Sequence, residues 1–145
     1  MYQKVSVLII EDEKSICDFI SKTLSSNEYK VTTAANGKDG MALITSSLPD
    51  LVLLDLGLPD MDGVEIIKKT REWSSLPIIV ISARTQEKEK VIALDAGADD
   101  YITKPFGTNE LLARIRTAIR HNNRLVDDGT NSNRPYSADG LTIDF

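Results

Sequence analysis

The chain has 145 residues, which is the size of one ordinary domain with a hydrophobic core. Hydrophobic residues make up 41% of the chain and charged residues 27%, a balance that excludes an intrinsically disordered protein. The net charge of −5 argues against non-specific binding of nucleic acid or of an anionic membrane by this segment. Cys17 is the single cysteine, so no intramolecular disulfide can form. The N-terminal apolar run, Val5 to Ile10, is too short for a signal peptide or a membrane span, and we expect a cytoplasmic protein.

Short apolar runs alternate along the chain with segments of helical periodicity. The predicted strands are Val5–Ile10, Val31–Ala34, Leu51–Leu54, Ile78–Ile81 and Tyr101–Thr103. The predicted helices carry the stripe from Ile16 through Phe19 and Ile20 to Leu24, then Asn36–Ser46, Val64–Arg71, Glu87–Ala96 and Leu111–Ile119. Strands that are apolar on both faces belong to a parallel sheet covered by helices on each side. The pattern therefore predicts an α/β fold, a doubly wound five-stranded parallel sheet with helices on both faces.

The composition changes after the last predicted helix. Residues 122–140 are rich in Asn, Asp, Ser and Gly, which predicts a flexible linker. Leu141–Phe145 then resumes an alternating strand pattern. A strand with nothing after it cannot bury its apolar face, so we expect a second domain to begin there. The alternative is a C-terminal tail that packs on the same domain.

Polar side chains follow four of the five predicted strands: Glu11 and Asp12, Asp55, Ser82, and Lys104. In open α/β sheets, ligands bind beyond the carboxyl ends of the strands. If the first and third strands are neighbours, the carboxylates converge, and they cannot all stay ionised without a cation. Oxygen ligands suit Mg2+. The alternative for the first pair is a helix N-terminus, where acidic residues favour the helix dipole.

Binding and transfer of a phosphoryl group would account for the other polar residues at this edge. Lys104 could simply neutralise the acidic cluster, or it could bind phosphate together with the Ser82 hydroxyl. A carboxylate can attack an activated phosphoryl group and form an acyl phosphate. Asp55 is the better candidate nucleophile because Glu11 and Asp12 are adjacent and better placed to hold the metal.

Together these motifs resemble the receiver domain of two-component response regulators. The matching elements are Glu11-Asp12, the run from Leu53 to Gly63, Ser82-Ala83-Arg84, and the run from Gly97 to Phe106. Within the family the sequence is similar to the OmpR/PhoB class, and to KdpE-type regulators of potassium transport in particular. The resemblance implies a flavodoxin-like sheet of order 2-1-3-4-5. It also implies a receiver domain over residues 1–121 and, at 141–145, the start of a winged-helix DNA-binding domain.

The resemblance assigns a role to each residue at the sheet edge. Asp55 matches the phosphorylated aspartate, and the switch residue is Tyr101. Ser82 matches the residue whose hydroxyl binds the phosphoryl group, and Lys104 matches the lysine whose ammonium binds it. The groups that match Mg2+ ligands are Asp12, Asp55, the backbone carbonyl of Gly57, and, largely through water, Glu11. Family members often have a bulkier residue than Gly57 and a threonine in place of Ser82.

The resemblance also implies partners. A sensor histidine kinase would supply the phosphoryl group, activation would produce a two-fold dimer, and DNA would be bound through the output domain, without membrane contact. The implied dimer surface consists of Lys90, Val91, Leu94, Asp99, Asp100, Glu110, Ala113, Arg114 and Arg120. Its expected pairs are Lys90 with Glu110, Asp100 with Arg114, and Asp99 with Arg120. Without the resemblance, a solvated charged face explains these residues equally well.

Two other functions remain open from the sequence. A stand-alone receiver could relay phosphate or bind a protein target without DNA. An aspartyl-phosphate phosphatase would need a second acid, for which Asp60 and Asp62 are available, and a substrate pocket for which the loop after Asp55 looks too short. The receiver resemblance implies no enzyme activity beyond self-phosphorylation and auto-dephosphorylation at Asp55.

Overall fold

The structure, a computed structural model, describes residues 4–131, with side chains described for residues 4–122. Strands and helices alternate along the described part of the chain. The strands are β1 (Ser6–Ile10), β2 (Lys30–Ala34), β3 (Leu51–Leu54), β4 (Ile78–Ser82) and β5 (Asp100–Thr103). The helices are α1 (Lys14–Ser26), α2 (Gly37–Ser47), α3 (Gly63–Arg71), α4 (Glu87–Ala96) and α5 (Thr108–Asn131).

The strands form one parallel sheet of order β2-β1-β3-β4-β5. The register pairs Ile10 of β1 with Ala34 on one side and with Leu54 on the other. On the far side, Ser82 of β4 pairs with Thr103 of the edge strand β5. The predicted fold class and strand order are thereby confirmed, and the segments that follow β1, β3, β4 and β5 leave the sheet at one common edge.

The continuous apolar strands supply two cores, one on each face of the sheet. Alternate residues of β1 show this division: Leu8 and Ile10 pack with α2, α3 and α4, whereas Val7 and Ile9 pack with α1 and α5. Every residue of β3 and β4 is buried. Each fully buried Leu or Ile contributes about 1.5–3 kcal/mol relative to its exposed state. This double burial is why the strands lack the alternation of apolar and polar residues that a sheet with one wet face would show.

Local signals mark three of the helix boundaries. The Asn36 side chain accepts a hydrogen bond from the Asp39 N–H, and the Asp62 side chain accepts one from the Val64 N–H, so both residues cap the helices that follow them. Helix α4 covers the predicted range, and Gly97 follows it with a φ of +123°. Glycine is favoured there because it carries no Cβ to oppose a positive φ.

The structure corrects two sequence expectations. Residues 122–131, expected to begin the flexible linker, instead continue α5 to Asn131. Asn and Asp weaken a helix only slightly per residue, and no proline interrupts this part of the chain, so an established helix can propagate through it. Phe19, expected on the buried stripe of α1, is 47% exposed. The rest of the expected linker and the strand at 141–145 lie outside the described residues.

Candidate functional site

The sheet edge brings together the polar residues that follow the strands. The backbone N–H of Asp55 donates to the Ile10 carbonyl at 2.9 Å, which continues the β1–β3 ladder by one residue. Across the sheet, the backbone N–H of Lys104 donates to the Ser82 carbonyl at 2.8 Å. The Lys104–Pro105 peptide bond is cis. Asp55 and Lys104 are therefore positioned by backbone hydrogen bonds just beyond the ends of β3 and β5.

Three carboxylates meet at the centre of this edge. Glu11, Asp12 and Asp55 each have one carboxylate oxygen that lies within 4.8 Å of the corresponding oxygens of the other two. Glu11 and Asp55 are buried, whereas Asp12 is exposed to solvent. Burial raises the pKa of the Glu11 carboxyl, and the hydrogen bond from Lys104 opposes that rise only in part. An all-oxygen donor set open to water on one side fits Mg2+, which binds one or two carboxylates and keeps several waters.

Lys104 supplies the positive charge of the cluster. Its Nζ lies 2.9 Å from Glu11 Oε1 and 3.8 Å from Asp55 Oδ2. Burial disfavours the ammonium form, but the hydrogen bond to Glu11 and the charge of Asp55 outweigh that cost and raise the pKa of Lys104. Lys104 therefore stays charged within reach of the Asp55 carboxylate.

Ser82 and Tyr101 are joined through the backbone of Arg84. The Ser82 hydroxyl is buried and accepts a hydrogen bond from the Arg84 N–H at 3.0 Å. The Tyr101 hydroxyl donates to the Arg84 carbonyl at 2.8 Å. The Arg84 guanidinium lies 3.6 Å from Asp62 and 3.4 Å from Glu89, at the starts of α3 and α4. The sequence placed Arg84 in a matching motif but gave no signal of its contacts with Asp62 and Tyr101, which are distant along the chain.

The loop from Asp55 to Asp62, here named the β3–α3 loop, contains Gly57. The Gly57 N–H donates to Asp55 Oδ1 at 3.4 Å, and a β-bridge joins Gly57 to Asp62. A Cβ at Gly57 would meet no atom within 4 Å, so the backbone here faces open space. The Gly57 carbonyl thus belongs to an exposed backbone segment two residues from Asp55.

The family comparison is decisive. A model of the response regulator receiver domain matches residues 7–116. The chain belongs to the response regulator receiver family. The receiver domain is 50% identical over 115 residues to the KDP operon transcriptional regulatory protein KdpE of Escherichia coli, covering 79% of this chain and 51% of that protein. The chain is 38% identical over 141 residues to the response regulator MprA of Mycolicibacterium vanbaalenii, covering 97% of this chain and 60% of that protein.

The fold comparison agrees. A CheY-like receiver domain from Methanospirillum hungatei superposes with a TM-score of 0.80 at 30% identity, covering 84% of this chain and 98% of that one. The chain spans about half the length of the KdpE relative it matches. Among the described residues of this receiver domain, no helix has the length and apolar character needed to cross a membrane.

The residues expected at a dimer surface lie on α4, β5 and α5 of the receiver domain. Val91 and Leu94 of α4 are exposed, at 45% and 43%. Lys90 Nζ stands 5.9 Å from the centre of the Tyr101 ring. Of the remaining members, Asp99, Glu110, Ala113 and Arg120 are exposed, and Asp100 and Arg114 are half-buried.

Four residues of the expected intermolecular pairs already have partners within the chain. Arg114 donates to both oxygens of Asp100, at 3.0 and 2.9 Å, and its Nε lies 3.3 Å from Glu110. Asp99 Oδ2 accepts from Arg71 at 2.9 Å and from the Ile78 N–H at 2.8 Å. A dimer that used the expected pairs would therefore exchange intramolecular bonds for intermolecular ones. The Arg71–Asp99 contact had no signal in the sequence beyond the position of Arg71 on the α3 face.

Proposed function

We propose that this receiver domain is the phosphorylation-controlled switch of a cytoplasmic transcriptional regulator, and that Asp55 accepts the phosphoryl group. One observation carries the proposal: the Asp55 carboxylate lies beside two further carboxylates, with the Lys104 ammonium 3.8 Å away. Nucleophile, cation donors and positive charge then share one edge of the sheet, which is the set of groups that phosphoryl transfer to a carboxylate requires.

Mg2+ is the metal that fits the donor set. Asp12, Asp55 and the backbone carbonyl of Gly57 would hold it, with Glu11 acting largely through water. When bound, Mg2+ would neutralise negative charge on the phosphoryl oxygens. Bound Mg2+ would also reduce the repulsion between the three carboxylates, because their negative charge exceeds the single positive charge of Lys104.

The chemical step is a transfer from a phosphohistidine of a sensor histidine kinase. An Asp55 carboxylate oxygen attacks the phosphorus, the phosphorus–nitrogen bond of the donor breaks, and the histidine leaves with the electron pair. The product is an acyl phosphate on Asp55. Lys104 stabilises the negative charge that is spread over the phosphoryl oxygens during transfer.

The switch follows from the new charge on Asp55. The phosphoryl oxygens would attract the Ser82 hydroxyl, which would donate its proton to them, and this movement would strain the hydrogen bond that Ser82 accepts from the Arg84 N–H. Tyr101, bonded to the carbonyl of the same residue, would turn inward as the β4–α4 segment moves. Phosphorylation thereby biases an equilibrium between two arrangements of β4, α4 and β5.

The output is proposed to be a two-fold dimer that controls DNA binding. The apolar residues Val91 and Leu94 would form its centre, with the ion pairs described above at its rim. The similarity to KdpE, whose name describes a regulator of the KDP operon, supports a DNA-binding domain after this one and a role in expression of potassium transport genes.

Labelling with acetyl phosphate tests the phosphoacceptor. Wild-type protein with Mg2+ should gain one phosphoryl group, mapped by mass spectrometry to the peptide that contains Asp55. The Asp55→Asn variant should gain none. Asp95→Asn, which alters an exposed carboxylate on α4, should label as the wild type does. Equal labelling of the Asp55 variant and the wild type would place the nucleophile elsewhere and reject the proposal.

A further inference from the structure

The β3–α3 loop must be held in place if Asp55 and the Gly57 carbonyl are to act together. Its first half is anchored by Leu56 and Leu58, which are 0% and 8% exposed. Gly57 has open space where a side chain would stand, and its backbone is joined to Asp62 by a β-bridge. In the second half, Asp60 connects the loop to another element; it lies five residues after the phosphoacceptor along the sequence.

Asp60 bonds the N-terminus of a different element, helix α2. Its Oδ1 accepts from the Gly37 N–H at 2.8 Å, and its Oδ2 accepts from the Lys38 N–H at 2.9 Å. The first N–H groups of a helix have no acceptor within the helix. The side chain of Asn36 accepts a hydrogen bond from the third N–H group of the helix, that of Asp39. Asp60 therefore supplies, from the β3–α3 loop, the two acceptors that the start of α2 lacks.

The packing around these bonds is close. A Cβ at Gly37 would lie 2.5 Å from Met61 Cγ and 3.2 Å from Asp60 Oδ1. Glycine is required here by close approach, since the loop rests directly on the backbone of α2. Met61 packs against the core that α2 and α3 share. The loop and the helix thus form one packed unit and are not merely tethered by a surface contact.

The electrostatics favour the same arrangement. The N-terminus of a helix carries partial positive charge, which attracts a carboxylate. The N–H groups of Gly37 and Lys38 hold the pKa of the Asp60 carboxyl below its ordinary value. Asp60 therefore remains ionised and bonded to α2 at neutral pH.

We propose that Asp60 is a positioning residue for the phosphoacceptor site: its two bonds to α2 hold the β3–α3 loop in the conformation that presents the Gly57 carbonyl beside Asp55. The inference rests on the proposed function, because it assumes that this carbonyl and Asp55 bind Mg2+. Loss of Asp60 leaves every proposed ligand in the sequence but removes the two hydrogen bonds that join the loop to α2.

The test compares Asp60→Ala with Asn36→Ala in the full chain. Each variant removes a side-chain acceptor from the start of α2, but only the first releases the β3–α3 loop. Isothermal titration calorimetry should show Mg2+ binding several-fold weaker for Asp60→Ala and unchanged for Asn36→Ala. Labelling by acetyl phosphate should be slower for Asp60→Ala at low Mg2+ and should recover when Mg2+ is saturating, because the nucleophile is intact.

Asp60→Asn provides a second variant with smaller risk to folding, since its amide keeps one acceptor oxygen for α2. Its Mg2+ affinity should fall between those of the wild type and Asp60→Ala. Unchanged Mg2+ affinity in both Asp60 variants would overturn the positioning role, and so would an equal loss in Asn36→Ala. Failure of the wild type itself to bind Mg2+ or to be labelled at Asp55 would instead overturn the proposed function.

Discussion

Under the proposed function, Lys104 would both oppose metal binding and support phosphoryl transfer. Its ammonium is 2.9 Å from Glu11 and 3.8 Å from Asp55, so it neutralises part of the charge that would attract a cation. The same ammonium is the positive group available to the oxygens of a phosphoryl group on Asp55. The two functions therefore respond in opposite directions to removal of this charge.

Lys104→Met should bind Mg2+ more tightly than the wild type, by about tenfold, which corresponds to about 1.4 kcal/mol. The same variant should be phosphorylated more slowly by acetyl phosphate at saturating Mg2+. Calorimetry measures the first effect and mass spectrometry the second. Lys14→Met is a matched control, because Lys14 forms an exposed ion pair with Asp18 at the same distance of 2.9 Å. Weaker Mg2+ binding by Lys104→Met would contradict the proposed balance of charge.

Helix α4 ends where two constraints coincide. Gly97 has a φ of +123°, and a Cβ added there would lie 2.6 Å from Arg71 Cγ. Arg71 Nε donates to the Gly97 carbonyl at 2.9 Å. The turn after α4 is thus shaped by its own backbone and by a side chain from α3, and it leads directly into the edge strand β5.

Gly97→Ala should lower the free energy of unfolding by about 1–3 kcal/mol, the usual range for a residue forced into a sparsely populated backbone region. The displaced Arg71 side chain adds to that loss. Gly107→Ala is the control, because a Cβ there meets no atom within 4 Å. Urea unfolding followed by circular dichroism measures both variants. Equal stability of Gly97→Ala and Gly107→Ala would show that neither constraint matters.

The sequence predicted most of the strands and helices, but it predicted few of the side-chain hydrogen bonds that connect one element to another. The strands were recoverable because β3 and β4 are continuous apolar runs, and α4 because a glycine marks its end. The set of carboxylates was recoverable because parallel strands place their carboxyl ends at one edge. The bonds from Asp60 to α2 were not, because hydrogen bonds to a helix terminus more than twenty positions away leave no local pattern.

The whole receiver domain presents α4, β5 and α5 as one surface at the edge of the sheet. In the single chain, Arg114 is bonded to Asp100, its expected partner in a second copy. Such a pair can be exchanged between two copies with no net loss of ion pairs. The gain on dimerisation must then come mostly from burial of Val91 and Leu94.

Arg114→Ala should weaken the dimer formed after acetyl phosphate treatment by roughly tenfold in Kd, because the unpaired Asp100 carboxylate would lose more water in the interface than in the single chain. Analytical ultracentrifugation with and without acetyl phosphate measures this. Arg116→Ala, an exposed arginine two positions along the same helix, should dimerise as the wild type does. Full dimerisation of Arg114→Ala, or an equal loss in Arg116→Ala, would remove this ion pair from the interface.

The backbone of Arg84 links two side chains that would take part in the proposed switch. Its N–H holds the Ser82 hydroxyl, and its carbonyl holds the phenol of Tyr101. In the proposed switch, a displacement of Arg84 that follows Ser82 would also disturb the hydrogen bond of the Tyr101 hydroxyl. The aromatic ring would then respond to phosphorylation through the main chain, without a direct contact between Tyr101 and the phosphoryl group.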